Sequence, residues 1–253
     1  MNADERRKKL MDILMEVGKV RVSDLIDQTG ISPATLRRDL SFLESTGYVD
    51  RTHGYARYLQ PDMIKQENFS PEIRRIAKVA ASLVKNDATI FLDSGLAPLA
   101  LGYELMERDF LTVITNSIPV AQLYSSCSNI QAFVTGGYLQ IREAALVGDD
   151  AIDYIKRFHS HQLFLSTTGV RVNAGFTCVT PLSADVKKAM VDYADEVIVL
   201  AQKEKLERDA LRVFAPLEKV NTLITSAPIS DPTLKLRIEE LGICLIVADD
   251  FNE

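Results

Sequence analysis

Two groups of residues have types and spacings that could do chemistry. The first starts at Ser32-Pro33, a good N-cap followed by a proline suited to the first helical position. In the helix they open, Leu36, Leu40 and Leu43 recur at i, i+4, i+7 and share one face. Ala34, Arg38, Ser41 and Ser45 then point roughly the opposite way, with Thr35 and Arg37 on the flanks. Small and hydroxyl residues let a helix approach closely, and arginine can pair bidentately with guanine or clamp phosphate. A face of Ser32, Ala34, Thr35, Arg37, Arg38 and Ser41 therefore fits the major groove of double-stranded DNA. Arg51, His53 and Arg57 lie just beyond and would suit a wing along the backbone or minor groove. The plain alternative is a surface helix whose arginines are merely solvated. A short helix and tight turn precede it in helix-turn-helix order, which favours DNA. Asp39 would repel phosphate, so it is expected to pair with an arginine of the same unit and orient the helix.

The second group is spread over the back of the chain, each member just after a short apolar run. Asp93-Ser94-Gly95, Asn116-Ser117, Gly136-Gly137 and Thr167-Thr168-Gly169 follow four successive runs. In an open α/β sheet ligands bind past the carboxyl ends of strands. A small loop whose amides aim from a helix N-terminus is suited to phosphate. Lys187 and Lys205 are the candidate cations for an anionic ligand. On the competing reading, the glycines only turn the chain, the hydroxyls cap helices, and Lys187 is solvated on an amphipathic helix. An isomerase or deaminase would need a general acid and base over the substrate. Asp93 is the one acid in these loops, and His159 and His161 precede a strand, at the wrong end. No catalytic residues are assigned, and neither a metal nor a cofactor is called for.

The elements that must position these groups follow from the hydrophobic pattern. Leu10, Ile13, Leu14 and Val17 form a helical stripe stopped by Gly18. A short extended stretch leads to Ser23 as N-cap of a second helix ending at Gly30, and the third helix ends at Gly47. Residues 48–59, with Gly54 between, read as two short strands around a turn. Apolar runs at 88–92, 111–115, 131–134, 162–165, 196–200, 222–225 and 243–247 alternate with helix-length segments such as 117–125, 145–157, 183–194 and 232–241. That alternation indicates a mostly parallel, Rossmann-like sheet covered on both faces. The expected division is a winged helix-turn-helix unit at 1–59, a linker at 60–74 and an α/β sensor unit at 75–253.

Composition agrees with an ordinary globular chain, 47% hydrophobic and 25% charged, with no internal repeat. No apolar run approaches a membrane span, and no secretory signal is visible. Cys127, Cys178 and Cys244 are scattered, which points to unpaired thiols in a reducing cytoplasm. The net charge of −6 seems unsuited to DNA, but residues 1–58 hold 10 Lys+Arg against 9 Asp+Glu, and the remainder 19 against 26. The acidity belongs to the back of the chain, and phosphate contacts are local.

The front of the chain resembles the DeoR family of bacterial regulators. Ser32, Thr35, Leu36, Arg37, Arg38, Asp39, Leu40, Leu43, Glu44, Gly47, Arg51, His53, Gly54 and Ala56 match its pattern, and Tyr55 departs from it where a second glycine is usual. The back also resembles that family's sensor domain, similar in fold to sugar-phosphate isomerases and deaminases. The landmarks are 90–95, 115–121, 135–137, 146–148, 175–177, 186–190 and 215–217. Lys205 aligns with a family lysine. The resemblance implies a repressor whose hold on operator DNA is changed by a phosphorylated sugar or related metabolite. One head reads few base pairs, so a homo-oligomer, dimer or tetramer, is expected.

The departures bear on the ligand. Leu96, Ala97 and Pro98 stand where three threonines are usual, Gln140 where an arginine is frequent, and Leu182 and Ser183 where two glutamates are usual. Thr167 and Thr168 add hydroxyls. A reshaped effector pocket is expected from these changes. A regulator that has lost its ligand is the alternative, and an isomerase-type enzyme is the remaining one.

Overall fold

The computed structural model describes residues 3–44, 49–52, 54–58 and 69–248, which fall into two compact units, 1–65 and 66–253. The first unit runs α1 (Ala3–Val17), β1 (Lys19–Arg21), α2 (Val22–Thr29), α3 (Pro33–Glu44), β2 (Val49–Thr52) and β3 (Tyr55–Tyr58). The strands form one antiparallel sheet in the order β1-β3-β2. Leu10, Leu14, Leu25, Leu36, Leu40 and Leu43 close its core, so the predicted stripe of α3 is the buried one, while in α1 only Leu10 and Leu14 of the predicted stripe are buried, joined by Met11, with Ile13 half-buried and Val17 exposed. Each fully buried leucine contributes about 1.5–3 kcal/mol. Gly30 closes α2 in the left-handed conformation, its N–H bonded to the Ile26 carbonyl. The N-cap of α2 is Arg21 and not Ser23, whose hydroxyl donates instead to Asp24.

Asp39 lies on the inner side of α3, 1% exposed, and receives Arg6 Nε at 2.8 Å and Arg7 Nε at 3.0 Å. The Arg7 guanidinium also sits 3.7 Å over the Phe42 ring. This arrangement fastens α3 to α1 by charge as well as by packing. Asp39→Ala is expected to cost the first unit about 2 kcal/mol, because it removes two charge-assisted hydrogen bonds from a buried acceptor. Thermal melting would check it; an unchanged midpoint would show that packing alone sets the helix.

The second unit is a seven-stranded parallel sheet flanked by helices. Its strands are β4 (Thr89–Leu92), β5 (Leu111–Thr115), β6 (Ile130–Val134), β9 (Ser160–Ser166), β12 (Ala194–Ala201), β14 (Thr222–Thr225) and β15 (Cys244–Val247), in the order β15-β14-β12-β9-β4-β5-β6. The helices are α4 (Pro71–Leu83), α5 (Leu96–Glu104), α6 (Ile118–Tyr124), α7 (Asp149–Ile155), α8 (Pro181–Asp192), α9 (Lys203–Leu206) and α10 (Pro232–Glu240). Phe91, Ile114, Leu163, Leu165, Val197, Val199 and Leu223 pack one sheet face against α7, α8 and α10; α4, α5 and α6 cover the other. Burial on both faces explains the near-continuous apolar runs.

Several elements differ from the sequence expectation. Helix α4 starts at Pro71, capped by the Ser70 hydroxyl, inside the span read as linker. Residues 145–157, read as one helix, hold β8 (Ala145–Val147) and then α7. β8 pairs with β7 (Tyr138–Gln140) as a two-stranded ribbon. A further antiparallel sheet joins β10 (Gly169–Arg171), β11 (Gly175–Cys178) and β13 (Arg212–Ala215). These strands are too short to show a period of two, and only their pairing defines them. Among the described residues no helix is long and apolar enough to cross a membrane, and the three cysteines are unpaired.

Candidate functional sites

On α3, Ser32, Ala34, Arg37, Arg38 and Ser41 are exposed, with Thr35 half-buried beside them. The Ser32 hydroxyl donates to Thr35 Oγ1 at 2.9 Å, so the two residues order the start of the helix. Arg37 and Arg38 make no hydrogen bond or ion pair with other described residues, which leaves both guanidinium groups available. Arg51 is engaged, its Nη2 2.7 Å from Glu44 Oε2, and Arg57 lies 3.7 Å from Asp50. His53, the remaining wing candidate, lies outside the described residues. Tyr55, the departure from glycine, has a use that sequence reasoning missed. Arg21 Nε donates to its hydroxyl at 2.8 Å and the Lys19 ammonium lies 4.6 Å over its ring, so β1 and β3 together present a basic, aromatic edge.

In the sensor unit, strand order reverses between β4 and β9: the chain adds β5 and β6 on one side and β12, β14 and β15 on the other. The crevice beyond the carboxyl ends at such a switch point is where parallel sheets bind ligands. Asp93, directly after β4, is fully buried there. Its Oδ2 accepts from the backbone N–H of Ser166 at 2.9 Å, from the Ser166 hydroxyl and from the Lys187 ammonium. Lys187 is also buried, donating to the Ser166 carbonyl at 3.2 Å and lying 5.4 Å from the Phe214 ring centre. The solvated reading of Lys187 is thus corrected: α8 presents it inward, where its charge is matched. Gly95 has φ +122°, and a Cβ there would meet Ser166 Oγ at 2.8 Å, so glycine permits the loop to close on β9.

The other candidates divide. Asn116, buried, donates its amide to the Leu146 carbonyl at 3.1 Å. Ser117 is spent as the cap of α6, and Thr167 bonds the Gly169 and Thr177 carbonyls. Gly169 is required by close approach, since a Cβ there would fall 2.4 Å from the Arg208 carbonyl oxygen. Gly136 and Gly137 are exposed at the start of the ribbon. Ser94 is buried and lends its carbonyl to the Ser166 hydroxyl; the Thr168 carbonyl accepts from Arg208 Nε at 3.0 Å. Lys205, on α9, is half-buried, and its ammonium makes no ion pair with described residues. Burial first, then the neighbouring charge of Arg208, lowers its pKa to about 8.

Among the described residues, three buried side-chain atoms have no hydrogen-bond partner: Asp93 Oδ1, Asn116 Oδ1 and Thr135 Oγ1. They follow three adjacent strands, β4, β5 and β6, at the same edge of the sheet. A buried polar group left unpaired costs about 1–3 kcal/mol, so three together point to something that satisfies them. Beside them Gln140, Glu143, Thr180 and Ser183 form a network that sequence reasoning did not find. Gln140 Nε2 donates to Glu143 Oε1 at 2.6 Å, and the Ser183 hydroxyl donates to Glu143 Oε2 at 2.5 Å. Burial raises the Glu143 pKa above the usual carboxylate range. Gln140 and Ser183 are two of the departures noted above, and their mutual contact is the signal that could have linked them.

Comparison with known proteins matches both units. Residues 6–62 fit the DeoR-like helix-turn-helix domain, and residues 70–227 fit the DeoR C terminal sensor domain. The chain belongs to the DeoR family. It is a DNA-binding transcriptional regulator and not an enzyme. It is 29% identical to the HTH-type transcriptional regulator GolR of Listeria innocua, over 97% of this chain and 98% of that protein. It is 30% identical to the uncharacterized HTH-type transcriptional regulator FruR of Bacillus subtilis, over 90% and 92%. The glycerol-3-phosphate regulon repressor of Escherichia coli is 24% identical over 90% and 92%. Among solved structures, ribose 5-phosphate isomerase A of Methanocaldococcus jannaschii aligns with 53% of each chain at 18% identity and a TM-score of 0.39. In this DeoR-family chain the helix-turn-helix unit is the DNA-reading part and the parallel-sheet unit the effector-sensing part.

Proposed function

We propose that this chain is a cytoplasmic repressor of a sugar-related operon, acting as a homo-oligomer on operator DNA and released or tightened by a phosphorylated sugar bound at the switch point between β4 and β9. The observation that carries the sensing half is the row of unpaired buried atoms Asp93 Oδ1, Asn116 Oδ1 and Thr135 Oγ1. The first two can only accept, so the ligand group facing them must donate, as sugar hydroxyls do. Adjacent strands lie about 4.8 Å apart, so the row spans about 10 Å, the length of a small sugar chain. The anionic end falls to Lys205, because Lys187 is already matched by Asp93. Relatives named for the glycerol-3-phosphate and aga operons agree with this ligand class.

Fluorescence anisotropy of operator DNA, titrated at several salt concentrations with and without a panel of sugar phosphates, tests the reading. Selective binding that one compound shifts supports it; selective binding that no compound shifts favours a degenerate sensor. The second reading has one observation behind it. Ala97 and Pro98, where threonines are usual, are buried in the first turn of α5, and Gly95 gives that helix no side-chain cap.

A pH dependence follows from Lys205. Its pKa of about 8 means that the ammonium is held at neutral pH and lost as pH rises through 8. Affinity for a sugar phosphate, itself nearly dianionic above pH 7, should fall by up to about tenfold per unit above that point. Calorimetry across pH 6.5–9.5 on wild type and Lys205→Met reads this directly. The variant should bind weakly with a flat profile; an identical slope in both would move the anion site elsewhere.

A further inference from the structure

Strand register brings three cations and one aromatic ring to a single face of the first unit. Lys19 pairs with Arg57, and Arg21 with Tyr55, across β1 and β3. Successive strand residues point to opposite sides, and the pair between them, Val20 and Ala56, is buried in the core. Lys19, Arg21, Tyr55 and Arg57 therefore share the outer face, where Lys19 and Arg21 are exposed. Arg57 lies 3.7 Å from Asp50, but neither Lys19 nor Arg21 forms an ion pair with another described residue. The nearest acid, Asp24, favours the charged form of Arg21 and takes the Ser23 hydroxyl on its Oδ1. Tyr55 is what holds both cations: Arg21 Nε donates to its hydroxyl at 2.8 Å, and the Lys19 ammonium lies 4.6 Å from its ring centre.

The direction of that hydrogen bond matters. Arginine can only donate, so the Tyr55 oxygen accepts and its own proton stays free to donate outward. The Nη groups of Arg21 and the ammonium protons of Lys19 also make no hydrogen bond with described residues. Two cations and a neutral hydroxyl held together in this way match the oxygens of a phosphodiester. Their place in the fold agrees. The backbone N–H of Val22 donates to the Gly54 carbonyl at 2.9 Å, fastening the start of α2 to the turn of the wing. In a helix-turn-helix the helix before the recognition helix crosses the DNA backbone. We propose that Lys19, Arg21 and Tyr55 form a phosphate clamp on double-stranded DNA, separate from α3, in which Tyr55 positions both cations. Residues 1–58 are nearly neutral, 10 Lys+Arg against 9 Asp+Glu, so affinity for DNA depends on where cations gather. Tyr55 stands where a second glycine is usual, and glycine supplies neither ring nor hydroxyl. The clamp is thus a feature of this chain, added to the contacts expected of α3.

The test is fluorescence anisotropy of the full chain on two duplexes of equal length, over about 0.05–0.3 M salt. One duplex is an operator that the protein selects from random sequence, and the other is unrelated. Lys19→Ala and Arg21→Ala should each lower the slope of log affinity against log salt by about one. Each should weaken both duplexes alike, about five- to tenfold at 0.1 M salt. Both residues are exposed, so the melting curve should not move. Tyr55→Phe keeps the ring and every charge, so the slope should stay while affinity falls about threefold. Tyr55→Gly should weaken binding further, and Tyr55→Phe decides the tyrosine's part should that variant misfold. In all of them the ratio between the two duplexes should keep its wild-type value, whereas loss of a base contact on α3 relaxes it. A folded Lys19→Ala, Arg21→Ala double variant with wild-type affinity and slope would overturn the proposal. So would a loss confined to the operator, or wild-type affinity in Tyr55→Phe and Tyr55→Gly alike.

Discussion

Lys187→Met is expected to destabilise the sensor unit by about 3–5 kcal/mol and to abolish any effector response. Methionine matches the length of the lysine stem, so the loss measures charge more than packing. Asp93 would remain fully buried with Oδ1 already unpaired and only the Ser166 donors on Oδ2. An uncompensated carboxylate in that position is among the most costly single changes a domain can suffer, and total stability is only about 5–15 kcal/mol. The double variant Asp93→Asn with Lys187→Met removes both charges and should recover a good part of the loss. Urea denaturation of the full chain, following the sensor transition, reads all three proteins. A loss under about 1 kcal/mol for Lys187→Met would mean that water reaches Asp93 and that the pair does not anchor α8 to β4.

The second large effect concerns α3. Arg37→Ala and Arg38→Ala should each weaken specific operator binding by about 1–3 kcal/mol, roughly 5- to 150-fold. Both arginines are exposed, neither is held by another described residue, and Arg38 shares its face with Ala34 and Ser41. The salt dependence separates two roles. A phosphate contact lowers the slope of log affinity against log salt by about one and weakens all sequences alike, whereas a base contact relaxes discrimination at one base pair. Arg51→Ala should cost less than either, because its guanidinium is already held by Glu44. Less than a twofold change for both α3 variants would remove this helix from the major groove.

Much of the first unit was legible because its determinants are local. The leucine stripe of α3, the Pro33 start, the Gly30 stop and the inward Asp39 all follow from residues within a few turns of one another. The arginines that Asp39 finds, Arg6 and Arg7, are 33 and 32 residues away, yet an acid on an inner face already demanded a cation. Parallel strands were equally plain, since burial on both faces writes an apolar run into the chain. Ser23 misled because a good capping residue stood near a helix start that the backbone placed at Val22.

The proposed sensing site was legible only in outline. Sequence placed Asp93, Asn116 and the neighbouring loops at strand ends, and so determined by itself a DNA-reading head and a parallel-sheet sensor with its polar loops at the carboxyl edge of the sheet. Only the tertiary structure decided which of those polar groups have work left to do. Ser117 bonds backbone within its own loop and Thr167 bonds the Gly169 and Thr177 carbonyls, so both are finished, while Asp93 meets a lysine 94 residues distant and still keeps one oxygen unpaired. Gln140 and Ser183, each unremarkable alone, gain their meaning from contact across 43 residues. Periodicity and capping act over one or two turns of chain; the state of a buried charge depends on every element that closes over it.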